Sequence, residues 1–319
     1  MKAVVCRQYG SVAIEEVDRP ALPDGAVLVR VRAGALNTID WFLAMGKPYF
    51  ARLMAGGARR PRSHVVGVEF AGTVEAVGAS VTDFRPGDHV FGAARGSLTE
   101  YVAVPVERIV RKPIRVSFEQ AAGVPTAGLT ALQGLRKGGI AQGRKVLVNG
   151  ASGGIGTCAV QLATHFGADV TGVCSTRNLE LVRSIGASRV IDYSREDFAS
   201  ERRYDIIFDI IGNRSWRECG GALKPGGTLV MAGGDWHNRW FGPLGRLVWL
   251  RLASVAGGPR LVNYMTRFDA ADLSFLAGLM EAGALTPVVD RRFPMNEALD
   301  ALLHLGTGHA RGKVVITVS

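Results

Sequence analysis

Cysteine is scarce in this chain and never clustered. The 319 residues include 4 cysteines, and no two of them form a CxxC pair. They are Cys6, Cys158, Cys174 and Cys219. A disulfide framework or a four-cysteine zinc site needs closely spaced thiols, so neither is expected. The spacing is typical of a protein in a reducing compartment, and we expect a cytoplasmic location.

Long apolar runs are also missing. No uninterrupted apolar stretch reaches the ~20 residues that a membrane-spanning helix needs. Residues 1–17 mix charges into a strand-like alternation, which is unlike a signal peptide. Hydrophobic residues make up 47% and charged residues 21% of the chain, as in ordinary folded proteins. At ~100–200 residues per domain, the length predicts two domains.

Positive charge is in excess but dispersed. Lys and Arg number 38 against 28 Asp and Glu, which gives a formal net charge of +10. These cations are spread along the whole chain, whereas nucleic-acid-binding proteins concentrate them on one face or in a tail. We therefore expect no nucleic-acid partner, and interpret the excess as general Arg richness or as attraction for a small polyanionic ligand.

Two patterns follow each other along the chain. Residues 1–115 contain short strands separated by turns, which indicates a β-rich domain. A capping-box start at Ser117 then predicts a helix to about residue 137, with a kink at Pro125. Over residues 145–232 strands and helices alternate, which is typical of a doubly wound parallel sheet. Residues 235–265 are predicted to be irregular. Helices are predicted at 272–282 and 296–305, and a last strand at 313–318.

A glycine-rich turn lies between the first strand of the alternating series and its helix. It reads Gly150-Ala151-Ser152-Gly153-Gly154-Ile155-Gly156, a variant of the dinucleotide-binding fingerprint. Gly153 would let the backbone approach a pyrophosphate, and the helix N-terminus would favour its charge. Because the turn follows a strand and opens a helix, we interpret it as a cofactor site rather than a structural turn. The residues of this turn expected to bind the cofactor are Ser152, Gly153, Gly154 and Ile155.

The end of the second strand indicates which dinucleotide binds. NAD sites place Asp or Glu there to accept from the ribose 2′-hydroxyl, but residues 173–178 read VCSTRN, without a carboxylate. Ser175 takes that place, and the Arg177 guanidinium suits a 2′-phosphate. Tyr193, after the next strand, could donate a hydroxyl or offer a stacking face. A solvated Arg177 is the alternative, and the pattern favours NADP(H).

Several motifs stand in an order that resembles a known family. They are Asn37-Thr38-Ile39-Asp40, GVEFAGTV at 67–74, GDHV at 87–90, VPTAGLTA at 124–131, the glycine-rich turn, and GKVV at 312–315. With these motifs nearly the full chain resembles the medium-chain dehydrogenase/reductase superfamily, in its zinc-independent quinone oxidoreductase and enone reductase branch. The resemblance implies an α/β protein with a GroES-like β-rich substrate domain and a Rossmann doubly wound parallel-sheet cofactor domain. The expected domains are 1–118 completed by 262–319, and 119–261, with an active-site cleft between them and usually a homodimer.

The metal ligands of the superfamily's zinc-dependent alcohol dehydrogenases are missing. Those enzymes carry Cys where Asn37 stands and His where Val68 stands, and neither an amide nor an isopropyl group replaces such ligands. The cysteine-rich lobe that holds structural zinc is also absent, since Gly92–Val102 contains no cysteine. We therefore expect no metal. Without a Lewis acid, quinones and α,β-unsaturated carbonyls are favoured because they accept hydride more readily than simple ketones.

The resemblance also implies roles for individual side chains. Asn37 is expected to donate a hydrogen bond near the nicotinamide or substrate, or else to cap the backbone. Asp40 would orient a neighbour or bind water, or else serve as negative charge at a helix start. Tyr49 would donate to the substrate oxygen or line the pocket. The resemblance places three more residues at the nicotinamide half of the cofactor: Thr126, Ile211 and Gly233.

Together these patterns predict a zinc-independent, NADPH-dependent oxidoreductase that transfers hydride to quinones or α,β-unsaturated carbonyls. Two alternatives stay open: a metal-free NADP-dependent alcohol or carbonyl dehydrogenase, and a non-enzymatic relative that binds the cofactor and serves a nucleic-acid-binding or structural role. The aromatic and basic stretch 236–264 could lie on a membrane surface, cover the substrate or contact a second subunit. Its glycines and Pro243 interrupt a long helix, so membrane-surface contact is the weaker interpretation.

Overall fold

In the computed structural model the chain forms two compact units. Unit 1 comprises Met1–Leu129 and Arg267–Ser319, and unit 2 comprises Thr130–Thr266. The structure describes residues 1–49, 52, 57–61, 64–200, 202–234, 250, 251, 254 and 258–318. The membrane-surface hypothesis falls largely on residues 235–249, which lie outside the described part of the chain.

The strands and helices are numbered in chain order. The strands are β1 Lys2–Gln8, β2 Ser11–Glu16, β3 Ala26–Leu36, β4 Glu69–Val77, β5 His89–Ala93, β6 Tyr101–Pro105, β7 Ile109–Arg111, β8 Lys145–Asn149, β9 Asp169–Cys174, β10 Arg189–Asp192, β11 Tyr204–Asp209, β12 Leu223–Met231, β13 Arg260–Asn263, β14 Val289–Pro294 and β15 Lys313–Thr317. The helices are α1 Thr38–Met45, α2 Phe118–Ala122, α3 Pro125–Gly138, α4 Gly154–His165, α5 Leu179–Ser184, α6 Trp216–Ala222, α7 Ala270–Glu281 and α8 Ala298–Gly306. Among the described residues, no helix has the length and apolar character needed to span a membrane.

Unit 1 is built on a seven-stranded sheet with the order β14-β15-β3-β4-β5-β7, in which β6 also pairs with β3. The long strand β3 is buried along most of its length, and its Val27, Val29, Val31 and Leu36 side chains pack in the core of the unit. The last strand, β15, returns from the end of the chain and pairs antiparallel with β3, with Val315 opposite Ala35. This pairing brings the start of β15 next to the end of β3, where α1 begins.

Unit 2 contains a six-stranded sheet with the order β10-β9-β8-β11-β12-β13. Every neighbouring pair in it runs parallel. In such doubly wound sheets ligands bind outside the carboxyl ends of the strands, at the point where the strand order reverses. That point lies between β8 and β11, and the glycine-rich turn leaves β8 there. The predicted α/β class is confirmed.

The boundary between the units falls within α3, later in the chain than the sequence-based boundary after residue 118. Hydrogen bonds explain the position. The Thr126 N–H donates to Glu69 of unit 1 at 2.7 Å, whereas the Thr130 carbonyl accepts from the Tyr264 hydroxyl of unit 2 at 2.6 Å. The Thr130 and Thr266 hydroxyls also lie 2.9 Å apart.

The helix predicted from Ser117 to residue 137 is two helices. Its start is as predicted, because the Gln120 N–H donates to Ser117 Oγ at 3.2 Å and the Ser117 N–H donates to Gln120 Oε1 at 3.1 Å. Helix α2 ends at Ala122, and α3 begins at Pro125. Proline has no N–H to continue α2 but suits the first position of a new helix, so the chain breaks rather than kinks there.

Candidate functional site

The glycine-rich turn joins β8 to α4 with a geometry that only glycine permits at two positions. Gly150 has φ of +91°, which L side chains rarely adopt. A Cβ on Gly156 would collide with the Gly150 carbonyl oxygen, so the close contact of helix and strand requires glycine. At Gly153, the N-cap of α4, a Cβ would meet nothing nearer than the Gly150 oxygen at 3.6 Å. The turn is therefore open on the side where a phosphate would approach the N-terminus of α4.

A buried amide links this turn to the end of β9. Asn178 Nδ2 donates to Ser152 Oγ at 2.9 Å and to Ser175 Oγ at 3.2 Å. Asn178 is only 4% exposed, and its Oδ1 is buried without a hydrogen-bond partner in the part of the chain that the structure describes. The structure thus brings the two predicted serines together. Asn178 itself was missed by sequence reasoning, and its place three residues after Ser175 is the signal that could have found it.

Arg177 and Tyr193 lie on the exposed side of the same region. Tyr193 is 55% exposed, and its N–H donates to the Cys174 carbonyl at 3.1 Å, which joins the ends of β9 and β10. Arg177 is exposed in the short turn 176–178 that follows Ser175.

The carboxylate of Asp192, at the end of β10, also lies in this region. Asp192 accepts from Thr176 Oγ1 at 2.5 Å and from Ser194 Oγ at 2.7 Å. These hydrogen bonds, that of Thr176 foremost, lower the pKa of Asp192. Hydrogen bonds within the protein occupy this carboxylate. It therefore does not replace the acidic residue that NAD sites carry at the position of Ser175.

The predicted nicotinamide-side residues of unit 2 lie at the ends of β11 and β12. Ile211 is 43% exposed, and a Cβ on Gly150 would come within 2.8 Å of its Cδ1. A Cβ on Gly233 would collide with the Ile210 carbonyl oxygen, so this close backbone approach also requires glycine. The Asp209 carboxylate holds the loop, accepting from Asn149 Nδ2 and from the Gly212 N–H, both at 2.9 Å.

Unit 1 contains a largely buried cluster of charged and polar groups, here called the Lys313 cluster. It comprises the side chains of Asn37, Asp40, Glu69 and Lys313 and the backbone N–H of Thr126. Lys313 Nζ lies 2.7 Å from Glu69 Oε1 and donates to Asn37 Oδ1 at 2.6 Å. Asn37 Nδ2 donates to Glu69 Oε1 at 2.9 Å. Glu69 is 0% and Lys313 5% exposed. Because an ammonium only donates and a carboxylate only accepts, these contacts define the orientation of the Asn37 amide.

The same cluster holds the starts of two helices. Asn37 is the N-cap of α1, and its N–H donates to Asp40 Oδ2 at 2.7 Å. The second oxygen of Glu69 accepts from the Thr126 N–H at 2.7 Å, at the start of α3. Asp40 is 3% exposed, and burial, partly offset by the Asn37 N–H, raises the pKa of its carboxyl to about 7.

The sequence points to three members of this cluster, Asn37, Asp40 and Thr126, but to no site role for Glu69 and Lys313. Both lie in family motifs. Each is a charged residue within an otherwise apolar strand, and that pattern could have indicated a role in the site. Tyr49 lies beyond α1, half-buried, with the Arg52 guanidinium 4.9 Å from its ring centroid.

The side chains at positions 37 and 68 do not fit a zinc ion. The Asn37 amide oxygen accepts from an ammonium group, and Val68 has no donor atom. Within the described ranges, no three or more His, Cys, Asp and Glu side chains are grouped so that they could hold a metal ion.

These features define a class: two-domain dehydrogenases and reductases with a β-rich unit completed by the C-terminal strand and a doubly wound, dinucleotide-binding unit. Family models agree with each part. The model for the alcohol dehydrogenase GroES-like domain matches residues 23–114, and that for zinc-binding dehydrogenase matches residues 185–316.

Individual relatives narrow the class. A 2-methylene-furan-3-one reductase of Solanum lycopersicum is 32% identical over 99% of this chain and 79% of its own. An NADPH-dependent alkenal/one oxidoreductase, chloroplastic, of Arabidopsis thaliana is 34% identical with the same coverage. The structure of the quinone oxidoreductase from Coxiella burnetii superposes with a TM-score of 0.87 at 30% identity, over 100% of this chain and 99% of that one. The chain belongs to the medium-chain dehydrogenase/reductase superfamily, in its quinone oxidoreductase and enone reductase branch, as its motifs predict.

Proposed function

We propose that this protein is an NADPH-dependent oxidoreductase that reduces quinones or α,β-unsaturated carbonyls without zinc. The observation that carries the proposal is the Lys313 cluster. Where zinc-dependent members of the superfamily place metal ligands, this chain has an amide held between a buried carboxylate and a buried ammonium group. The names of the tomato and Arabidopsis relatives, a furanone reductase and an alkenal/one oxidoreductase, support a conjugated carbonyl as substrate.

The residues of unit 2 fit NADPH. The open side of Gly153 and the N-terminus of α4 suit the pyrophosphate, and Gly154 and Ile155 continue that turn. Ser152 and Ser175, joined by Asn178, offer hydroxyl groups for a 2′-phosphate. Arg177 supplies positive charge, and Tyr193 an exposed ring, beside them. When bound, NADPH supplies the hydride.

For the nicotinamide end we propose Thr126, Ile211 and Gly233, on the family positions that they match. The exposed side chain of Ile211 can cover an apolar ring face. No side chain fits at Gly233, where the backbone approaches Ile210 closely. We therefore assign the peptide groups of Gly233 to hydrogen bonds with the nicotinamide carboxamide. The N–H of Thr126 donates to Glu69, and this contact fixes its place at the start of α3.

Asn37 and Tyr49 are the proposed donors to the substrate oxygen, on which negative charge develops during hydride transfer. The hydrogen bond to Glu69 uses one N–H of the Asn37 amide, which leaves the second N–H for a ligand. Asp40 serves as a positioning residue, because its carboxylate accepts from the Asn37 backbone and fixes the start of α1. The homodimer that the resemblance implies, and the cytoplasmic location that four buried thiols suit, remain predictions.

The test is NADPH oxidation with a panel of one quinone, one enone and one saturated ketone. The proposal expects turnover of the quinone or the enone and little turnover of the saturated ketone. Turnover of the saturated ketone alone would make the protein a carbonyl dehydrogenase instead. Cofactor binding without turnover of any substrate would favour a non-enzymatic relative.

The cofactor assignment has its own test in the charge reversal Arg177→Glu. We expect the KM for NADPH to rise much more than the KM for NADH, because the new carboxylate repels the 2′-phosphate but not a 2′-hydroxyl. Arg189→Glu, at the start of β10 rather than in the turn after the end of β9, is a control of equal charge change. Equal effects of Arg177→Glu on both cofactors would contradict the assignment.

A further inference from the structure

We infer that Asn178 sets the preference of this chain for a 2′-phosphate, by directing the hydroxyl hydrogens of Ser152 and Ser175 toward the ligand. The inference rests on the proposed NADPH site and deepens it. Asn178 is here a positioning residue, which acts on the ligand through the two serines.

The Asn178 amide donates hydrogen bonds to both serines. A primary amide has two N–H donors on one nitrogen, and those of Asn178 Nδ2 are directed at two serine oxygens, 2.9 and 3.2 Å away. A hydroxyl oxygen that accepts from this nitrogen cannot direct its own hydrogen back along the same line. Both serine O–H groups are therefore free to donate in another direction.

The two serines come from separate segments, the glycine-rich turn and the end of β9. Because both oxygens lie near one nitrogen, their two O–H donors can reach the same ligand group. A phosphate presents several oxygens that only accept, whereas a ribose 2′-hydroxyl presents one oxygen that also carries a hydrogen. Two directed donors therefore suit the phosphate better.

The orientation of the amide matters, and its surroundings favour the one described. Turned round, Oδ1 would accept from both serines and consume their hydrogens, and a buried NH2 group would be left with two unpaired donors. In the described orientation the buried group without a partner is a single acceptor, Oδ1. Leaving one acceptor unpaired costs less than leaving two donors unpaired.

The charges around the site agree. Arg177 precedes Asn178 in the same turn, and the nearby carboxylate, Asp192, already accepts from Thr176 and Ser194. The Arg195 guanidinium lies 3.8 Å from the Asp192 carboxylate and offsets its charge. A phosphate bound by the two serines therefore meets the positive charge of Arg177 and a carboxylate that already has a counter-charge.

The experiment measures binding of nucleotide fragments and needs no turnover. Isothermal titration calorimetry gives the Kd of 2′,5′-ADP, which carries the 2′-phosphate, and of 5′-AMP, which lacks it. The variants are Asn178→Leu, which keeps the volume without any donor, and Asn178→Ser, which is too short to reach both serines. We expect each variant to weaken 2′,5′-ADP about tenfold, the size of one hydrogen bond to a charged group, and to leave 5′-AMP nearly unchanged.

A double-mutant cycle distinguishes positioning from a general loss of structure. If Asn178 acts through the serines, Asn178→Leu has little further effect on 2′,5′-ADP binding in a Ser152→Ala/Ser175→Ala background. A purely structural role would weaken both nucleotides equally and would add to the serine substitutions. Either result overturns the inference, and so does an unchanged ratio of the two Kd values in both Asn178 variants.

The failures of the inference and of the proposed function are separable. If the unaltered protein binds 2′,5′-ADP no better than 5′-AMP, the NADPH assignment itself is wrong. If the unaltered protein discriminates and the Asn178 variants discriminate equally well, the assignment stands and the role of Asn178 is wrong.

Discussion

Removing the ammonium group of Lys313 should destabilise the protein strongly, and removing its partner's charge as well should restore part of the loss. Lys313 is 5% and Glu69 0% exposed, so Lys313→Met leaves a carboxylate buried without a counter-charge. The Asn37 and Thr126 N–H groups still donate to Glu69, but they carry no full charge. Breaking a buried pair on one side costs ~3–5 kcal/mol, and we expect a value at the lower end because these two donors remain.

The magnitude can be checked by urea unfolding at pH 7.5, as a double-mutant cycle that combines Lys313→Met with Glu69→Gln. The two neutral side chains leave no unpaired buried charge, so the double variant should be more stable than Lys313→Met alone by at least ~1 kcal/mol. A matched control is Lys224→Met. The Lys224 side chain is 40% exposed and its ammonium group lies 2.9 Å from Asp205, so this substitution should cost less than ~1 kcal/mol.

Two results would refute this reasoning. One is a Lys313→Met protein within ~1 kcal/mol of the unaltered protein, which would mean that the pair carries no buried charge. The other is a double variant less stable than Lys313→Met, which would mean that Glu69 needs its charge for contacts other than Lys313.

Three further predictions concern pH, the glycine-rich turn and the cysteines. Folded Asp40 has a pKa of about 7 against an ordinary 3.8, so it binds more protons than the unfolded chain between these values. It therefore makes the free energy of unfolding fall as pH rises through that window. Asp40→Asn removes this contribution, so the free energy of unfolding of the variant minus that of the unaltered protein should rise from about pH 4 to 7 and level off above pH 7. If urea unfolding gives a difference that does not change with pH, this prediction is contradicted. Gly153→Ala should keep the Tm but weaken NADPH in a fluorescence titration, whereas Gly156→Ala should lower the Tm, because its Cβ meets the Gly150 oxygen; the reverse pattern would refute the assignment of the two glycines. The four cysteines are buried, and burial raises the pKa of Cys6 and Cys174 to about 11, so a thiol reagent should label the native protein slowly and the urea-unfolded protein fully. Rapid labelling of the native protein would contradict the burial.

Much of the fold follows from sequence because local signals and burial agree. The run Lys145–Asn149 and the turn after it have strand, glycine and helix signals in direct succession, and the structure places β8 and α4 there. The short strands β13 and β14 carry no such signal. Each has arginines in or near it and lies at the edge of a sheet. Pairing with the neighbouring strand, and not the hydrophobic pattern of its own residues, makes each of them a strand.

The site shows the same limit. Ser152 and Ser175 are found from the fingerprint and its spacing, but the amide that joins them is not. Likewise Asn37 and Asp40 stand in one motif, whereas Lys313 joins them only through the pairing of β15 with β3, across 276 residues of sequence. Contacts of that separation are set by sheet topology, which a local motif does not encode.

The most direct test of the central claim follows the hydride itself. NADPH that carries deuterium at both C4 positions of the nicotinamide is incubated with the protein and an enone, and the product is analysed by mass spectrometry. The account predicts a saturated carbonyl product with one deuterium at the β-carbon for each NADPH oxidised, and the same rate after dialysis against a metal chelator. A product without deuterium, or a rate that is lost on chelation and restored by zinc, would contradict it.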